Sequence, residues 1–463
     1  MPKSLIGSVF VKRREAVRNF TGIDLFSLPD LLPYFTTSTH HPIFLLFMIK
    51  KLLLIFLIPF VLISCQDGLQ QPVYLYSFNN PAETGSRFPY LFKDNTGTLY
   101  MSWITNIEED IFALEYAKYK DGLWEVPPAV LVGTNFFVNW ADFSSLVGKD
   151  GEAVAAHWLR KIDGGPYAYN VQVQFRNPET GRWNEPITPH LDETPTEHGF
   201  VSIQPLSDDR VLAIWLDGRN TDGRGHGEYD DPEMAMTLRS AEVSADGEIR
   251  RKRVIDAMVC DCCQTDLAPV NDGFVAVYRG RTEGEIRDIL ISRYSLETGE
   301  WSDPMSVHHD GWEIRACPVN GPRVETNGNQ VAVVWFTEAD DERKVLLARS
   351  ADGGVTFQEP IVVASGESTI GRADIVLADE GIIYVSWMEQ NGEAGNVMLR
   401  EISPDGTLRE AILTGITSSS RSSGFPRIEK IDDEIIIAWT QTEPLVRVRT
   451  ARVSINQNAT LNP

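Results

Sequence analysis

The stretch Cys260-Asp-Cys-Cys-Gln-Thr-Asp-Leu-Ala-Pro-Val-Asn-Asp-Gly-Phe-Val-Ala-Val-Tyr-Arg-Gly-Arg281 carries the two main signals of this sequence. Its second half is a short extended segment, a turn of Asn271, Asp272 and Gly273, and an apolar run closing on Tyr278. The same pattern closes on Trp103, Trp158, Trp215, Trp335, Trp387 and Trp439, giving seven copies. They recur at intervals of roughly 50 to 65 residues, somewhat longer than common propeller-blade repeats but of the same kind. A unit of this size cannot bury its own apolar face, so the copies must stack on one another. The first half sets Cys260, Cys262 and Cys263 immediately before one copy, so their chemistry depends on what the repeat builds.

Aligned by their strands, the copies read as four strands each. In the first these are 87–92, 98–104, 112–120 and 126–132. Third strands recur at 169–175, 233–243, 288–294, 344–349, 396–402 and 446–453, most of them alternating apolar with polar residues as half-buried strands do. The last copy stops at its third strand, whereas the early segment 73–78 is a strand without a partner in its own copy. Letting that segment complete the last copy closes a ring and leaves no bare edge. The expected fold is therefore all-β, a seven-bladed β-propeller of four-stranded blades over residues 73–455, followed by a tail at 456–463.

Met48-Ile-Lys-Lys51, the apolar run 52–63 and Ser64-Cys65 have the basic start, short apolar core and small residue of a secretory signal. The run is too short to span a bilayer comfortably. Leu62-Ile63-Ser64-Cys65 resembles the bacterial lipobox, which implies a signal at 48–64, acylation of Cys65 and a lipidated linker at 65–72. Residues 1–47 are then expected to be an extension ahead of the true start at Met48, since such a signal is read at an N-terminus. The implied place is an extracytoplasmic membrane face, periplasmic or cell-surface, reached through the lipid alone. Beyond Cys65 there are 35 basic against 62 acidic residues, a net charge of −27. That balance argues against nucleic acid and against polybasic docking on membranes, but a local group of arginines can still hold an anion.

Ser350-Ala-Asp352-Gly-Gly354-Val-Thr356-Phe357 matches the Asp-box turn in full, and Ser244-Ala-Asp246-Gly247 and Ser403-Pro-Asp405-Gly406 are degraded versions. On these residues the chain resembles the sialidase-like propellers built from BNR (Asp-box) repeats, in which the Asp-box is structural. Family sialidases have six blades, the alternative to the seven counted here, and an x-Arg-Ile-Pro motif where this chain has Ser86-Arg87-Phe88-Pro89. The resemblance implies an arginine triad for a substrate carboxylate at Arg87, Arg372 and Arg421, and a general acid at Asp142 or Asp374. It also implies a tyrosine nucleophile paired with a glutamate, and no Tyr–Glu pair stands at a convincing position in the sequence; Tyr278 aligns with the core tryptophans and reads as packing.

In a four-stranded blade the inter-blade connections and the loops joining second to third strands open on one face. At the entrances to the innermost strands that face presents Arg87; Trp140 and Asp142; Glu197 and His198; Cys260, Cys262 and Cys263; Arg315 and Cys317; Arg372 and Asp374; Arg421 and Arg427. Guanidinium forks suit carboxylate or sulfate, so Arg87, Arg315, Arg372 and Arg421, with His198, are candidate ligands for an acidic carbohydrate or another small anion. The thiols of Cys260, Cys262, Cys263 and Cys317 read as two disulfides, as a thiolate site for copper or zinc with His198 nearby, or as a redox group. Adjacent Cys262 and Cys263 are poorly placed to bond each other. The glycine-rich loop Asp217 to Asp231 offers carboxylates for calcium or forms a solvated lid, and His308 and His309 are a further metal or sugar candidate. Three functions follow: an anionic-glycan propeller with possible hydrolytic activity, a metal or redox protein centred on the cysteines, and a protein-interaction scaffold.

Overall fold

Each aromatic residue that closes the repeat is buried on the second strand of its own antiparallel sheet. The computed structural model describes residues 75–221 and 234–455, and within them the chain forms a ring of seven such sheets. The signal 48–64, Cys65, the stretches 1–47 and 65–72, the tail and the part of the carboxylate loop from 222 to 231 lie outside the described residues. The innermost strands are Ser86–Lys93, Ser145–Lys149, His198–Ser207, Asp266–Val270, Arg323–Asn327, Thr369–Leu377 and Arg427–Ile431, and they number blades one to seven below.

The core is divided among the gaps between blades. Trp335 packs with Val277 and Ile289 between blades four and five, Trp387 with Val334 between five and six, and Trp103 with Ala438 between seven and one. Tyr278, with Leu212 and Ile214, fills the gap between blades three and four. A large ring is needed there because flat sheets facing each other diverge outward. Truncating one such aromatic to alanine would cost about 3–5 kcal/mol. Buried indole N–H groups also need acceptors, and most have one: Trp103 donates to Glu115 at 2.9 Å, Trp158 to Gln174 at 2.8 Å and Trp335 to Asp310 at 2.7 Å.

Ring closure follows the expected route. Leu75, Tyr76 and Ser77 pair antiparallel with Val453, Arg452 and Ala451, so the early segment is the outer strand of the last blade. Two outer strands depart from expectation. In blade one it is split into Leu123–Glu125 and Leu131–Gly133, because Pro127 and Pro128 between them lack the N–H that a ladder requires. In blade two it is reduced to bridges at Ile187 and Trp183. The six-blade alternative is excluded by the seven sheets.

The full Asp-box behaves as a turn lock. Asp352 accepts from Ser350, from the N–H groups of Val355 and Thr356, and from the Thr356 hydroxyl at 2.6–3.0 Å. These donors hold its carboxyl well below the usual range.

Candidate functional site

Three innermost strands show an amide that a carboxylate of the neighbouring blade covers. Asp142 accepts the N–H of Phe200 at 2.8 Å, Asp266 that of Val324 at 2.8 Å, and Asp374 that of Ile428 at 2.9 Å. Each carboxylate stands in one blade and each amide in the next, so these aspartates staple the ring. Strand entrances are bulged at Arg87/Tyr90, Gly199/Ser202 and Gly371/Asp374. Phe88, Phe200 and Arg372 there take φ of 56°, 51° and 54°, a left-handed conformation that costs a non-glycine residue about 1 kcal/mol or more. Side-chain acceptors hold all three amides: Thr440 that of Phe88 at 2.8 Å, Asn320 that of Arg372 at 2.7 Å and Asp142 that of Phe200. The bulges re-aim side chains at the mouth.

Residues from the entrances of blades two, four, five and seven meet one another. Asn139 caps the following turn through Ala141 N at 2.8 Å, and Trp140 from that turn stacks on Phe425 of the blade-seven entrance with ring centres 5.8 Å apart. Gly424 is required beside it, since a Cβ there would meet Phe88 at 2.8 Å. Gln264 donates to Ala141 O at 2.7 Å and accepts from Gly321 N at 2.9 Å, tying blades two, four and five together. Below these residues a cavity of about 10 Å³, lined by Tyr90, Asp142, Phe143, Arg323 and Arg427, has room for a single water.

Arg372 is the outstanding cation of the rim. It is 7% exposed, and its centre lies 4.9 Å from the Trp140 ring and 5.9 Å from that of Phe425. Its Nη1 donates to Ser420 O at 3.1 Å, Ser423 Oγ at 2.8 Å and Gly424 O at 3.1 Å, while Nη2 has a 3.5 Å contact with Ser419 O. All of these acceptors are neutral. The exposed Arg421 lies over the same indole at 5.6 Å. Burial, and then the charge of Arg421, push Arg372 down to about 10.

Asp142 belongs to a second group. The Tyr169 hydroxyl lies 2.8 Å from Asp142 Oδ2 and 2.7 Å from Glu197 Oε1. Gly199 is obligatory here, because a Cβ would strike Asp142 Oδ2 at 1.9 Å. Burial raises Asp142 to about 7 against the pull of Tyr169 and the Phe200 amide, and burial with the two carboxylates raises Tyr169 well above its ordinary value. Tyr169 is fully buried under Phe137, which stacks on it at 3.9 Å. This tyrosine–glutamate pair was absent from the sequence reading. Tyr169 opens a third strand rather than an innermost one, yet those starts emerge on the same face, and the segment bridges directly to Glu197.

Other candidates lie elsewhere. Asp374 has its oxygens taken by Arg323 at 2.9 Å, Arg427 at 3.6 Å and the Ile428 amide. Arg87 is half-buried with Nε unpartnered, and Arg315 is exposed. His198 is fully buried: its Nδ1 faces the carbonyls of Thr196 and Tyr169 at 3.2 and 3.3 Å, and its Nε2 lies 3.1 Å from Asp192. Both ring nitrogens therefore face groups of the protein interior. His190, Asp192 and His198 come within 4.8 Å of one another. The two rings are stacked parallel at 3.9 Å and 5°, so their in-plane lone pairs cannot meet on one ion. His308 pairs with Asp310 at 2.7 Å.

The expected disulfides are not formed. Cys260, Cys262 and Cys263 are buried with their sulfurs within 4.8 Å of one another, and none of the four cysteines is bridged. Cys260 and Cys263 sulfurs lie 3.4 Å apart, beyond the ~2.05 Å of a bond. Cys317 is in hydrogen-bonding contact with Cys262 across the blade boundary.

No protein-family model and no curated protein sequence matches the chain. Among solved structures, an ulvan lyase, polysaccharide lyase PL25, bound to -[GlcA(1-4)Rha3S]-, is 11% identical over 83% of this chain and 96% of its own, with a TM-score of 0.49. A mutant of NanB sialidase from Streptococcus pneumoniae is 11% identical over 85% of this chain and 72% of its own, with a TM-score of 0.42. A protein of unknown function from Dyadobacter fermentans is 13% identical over 83% and 98%, with a TM-score of 0.44. The likeness to these sialidases and polysaccharide lyases is one of propeller architecture.

Proposed function

We propose that this propeller binds an acidic sugar, or a small anion of the same kind, at the rim beside its axis. Arg372 and Arg421 clamp the anionic group, and Trp140 with Phe425 forms the apolar flank. The observation that carries this reading is Arg372, a nearly buried guanidinium with only neutral acceptors and a second guanidinium over the same indole. Two cations held this close repel, and an arriving carboxylate or sulfate relieves both the repulsion and the desolvation. Arginine forks match such groups in shape as well as charge.

The reading is of binding rather than turnover. Asp142, raised to about 7, and Glu197 share the Tyr169 hydroxyl, which is a proton-handling arrangement. Hydrolysis through Tyr169 requires that hydroxyl to be uncovered from beneath Phe137, since a nucleophile must touch the sugar. The lipid signal read at Cys65 supports a place on an extracytoplasmic membrane face, which fatty-acid labelling of wild type and Cys65→Ala tests.

The test is an oligosaccharide panel in which acidic sugars are matched with neutral congeners. Acidic members alone should bind, binding should weaken with salt, and Arg372→Met should lose it. Equal binding of neutral congeners, or no acidic member bound by the folded wild type, defeats the proposal.

A further inference from the structure

We propose that Cys260, Cys262, Cys263 and Cys317 together hold a thiophilic d10 cation of the zinc type, which clasps the entrances of blades four and five. The three sulfurs of the blade-four entrance lie within 4.8 Å of one another, with 3.4 Å between Cys260 and Cys263. Four sulfurs at ~2.3 Å around a tetrahedral ion stand about 3.8 Å apart; the three blade-four sulfurs already lie within that range, and Cys317 would draw in to complete the set. The fourth sulfur comes from the next blade. Cys317 packs against the same buried cluster and contacts Cys262. Its loop is pressed onto the cysteine loop, because a Cβ on Gly321 would lie 2.1 Å from the Gln264 carbonyl oxygen, and Gly321 N donates to Gln264 Oε1 at 2.9 Å.

Surrounding charge supports thiolates rather than thiols. Arg279, Arg281 and Arg287 are all buried here. Arg287 Nη1 points at Cys260 Sγ from 3.3 Å, and the charge of Arg279 is felt at Cys260 and Cys263. Glu285 is bound by Arg281 and Arg287, and Asp261 lies 3.5 Å from Arg281. A guanidinium beside a sulfur favours its thiolate. Four thiolates around a divalent ion carry two negative charges, which the neighbouring guanidiniums offset, and the four protons leave to solvent as the ion binds. Cys317, half-buried where the other three are buried, gives the ion its way in. The ligand set is all sulfur, which selects zinc or copper(I) over calcium or magnesium.

This site is independent of the anion reading, and either can fail alone. Metal analysis of the reduced, purified chain should find about one zinc or copper ion per molecule, the element telling the two apart. Cobalt(II) loaded into the stripped protein should give the intense near-ultraviolet thiolate band and visible bands of a tetrahedral sulfur site. Cys317→Ser, at the half-buried position, should weaken cobalt binding about 10-fold or more while the fold is retained. Should Cys262→Ser fail to fold, the wild-type cobalt spectrum still decides. No bound metal together with no thiolate band in the reduced wild type overturns the proposal, as does mapping of the native cysteines into disulfides.

Discussion

Two buried guanidiniums near the axis, Arg323 and Arg372, are handled in opposite ways. Arg323 lies between Asp266 and Asp374, 2.9 Å from each, and these carboxylates hold it firmly charged. Arg372 has only carbonyls and a hydroxyl for Nη1, and a like charge beside it pushes it down. The first arrangement is closed around Arg323: two carboxylates face it, Asp374 also reaches Arg427 at 3.6 Å, and the staple from Asp374 to the Ile428 amide locks blade six to blade seven. The second is open, since an anion arriving at the rim would do for Arg372 what Asp266 and Asp374 already do for Arg323. Arg372 and Asp374 are two residues apart on one strand, so the ring's structural and ligand-facing chemistry is separated by a single bulge.

Breaking the closed arrangement should have the largest effect. Arg323→Met removes the cation closest to Asp266 and leaves Asp374 only Arg427, 3.6 Å away, and should cost about 3–5 kcal/mol in denaturant unfolding. Sugar affinity per folded molecule should be unchanged. Arg372→Met inverts that pattern. It strands no carboxylate, so stability should fall by about 1–2 kcal/mol, while affinity for an acidic sugar measured by calorimetry should drop about 30-fold, equivalent to ~2 kcal/mol. If the two variants lose stability equally, the distinction between closed and open cations collapses.

The distinction marks where sequence reading stops. The blades were legible because seven aromatic residues recur at one register and fill one kind of gap, and because segment 73–78 had no partner other than the last copy. Entrances could also be listed, since topology alone puts them on one face. Side-chain fate could not. His198 and Glu197 are neighbours at one entrance, yet successive strand side chains point to opposite faces, and His198 is the one turned inward. Asp142 and Asp374 both cap an amide of the next blade, but only Asp374 also meets arginines, a difference made by chain segments distant in sequence. Tyr169 and Glu197 are 28 residues apart and meet only because the start of a third strand bridges to the next blade's entrance, a contact that no local pattern marks. The cysteines were correctly grouped by blade; that they remain unbridged is a matter of sulfur separations no spacing reveals.

Asp142 sharpens the comparison through pH. Its folded value, about 7, lies above the ordinary 3.8, so the folded chain binds this proton more tightly than the unfolded one does. The stabilisation is complete below about pH 4, falls as pH rises, and is gone above about pH 7. Asp261, also raised to about 7, and Glu325, raised to about 8, titrate with the same sign, so the wild-type slope alone does not isolate Asp142. The difference between wild type and Asp142→Asn does. Asparagine can still accept from the Phe200 amide, and the wild type should lose on the order of 1–2 kcal/mol relative to the variant between pH 4 and 7. A flat difference would mean that Asp142 is ionised throughout and stands with Asp374 among the closed charges.

The smallest effect belongs to Arg421, the exposed half of the clamp. Solvent screens it, so its attraction for an anion is worth about 0.5–1 kcal/mol and Arg421→Ala should weaken binding only about 2- to 5-fold. That loss should vanish in high salt, where the Debye length contracts to ~3 Å at 1 M, while the loss in Arg372→Met should persist because that guanidinium is shielded by Trp140 and Phe425. Removing Arg421 also relieves the repulsion on Arg372, which should return toward its ordinary value. An Arg421→Ala variant as damaged as Arg372→Met, at low and high salt alike, would place the anion out on the surface and leave the buried arginine a purely structural part.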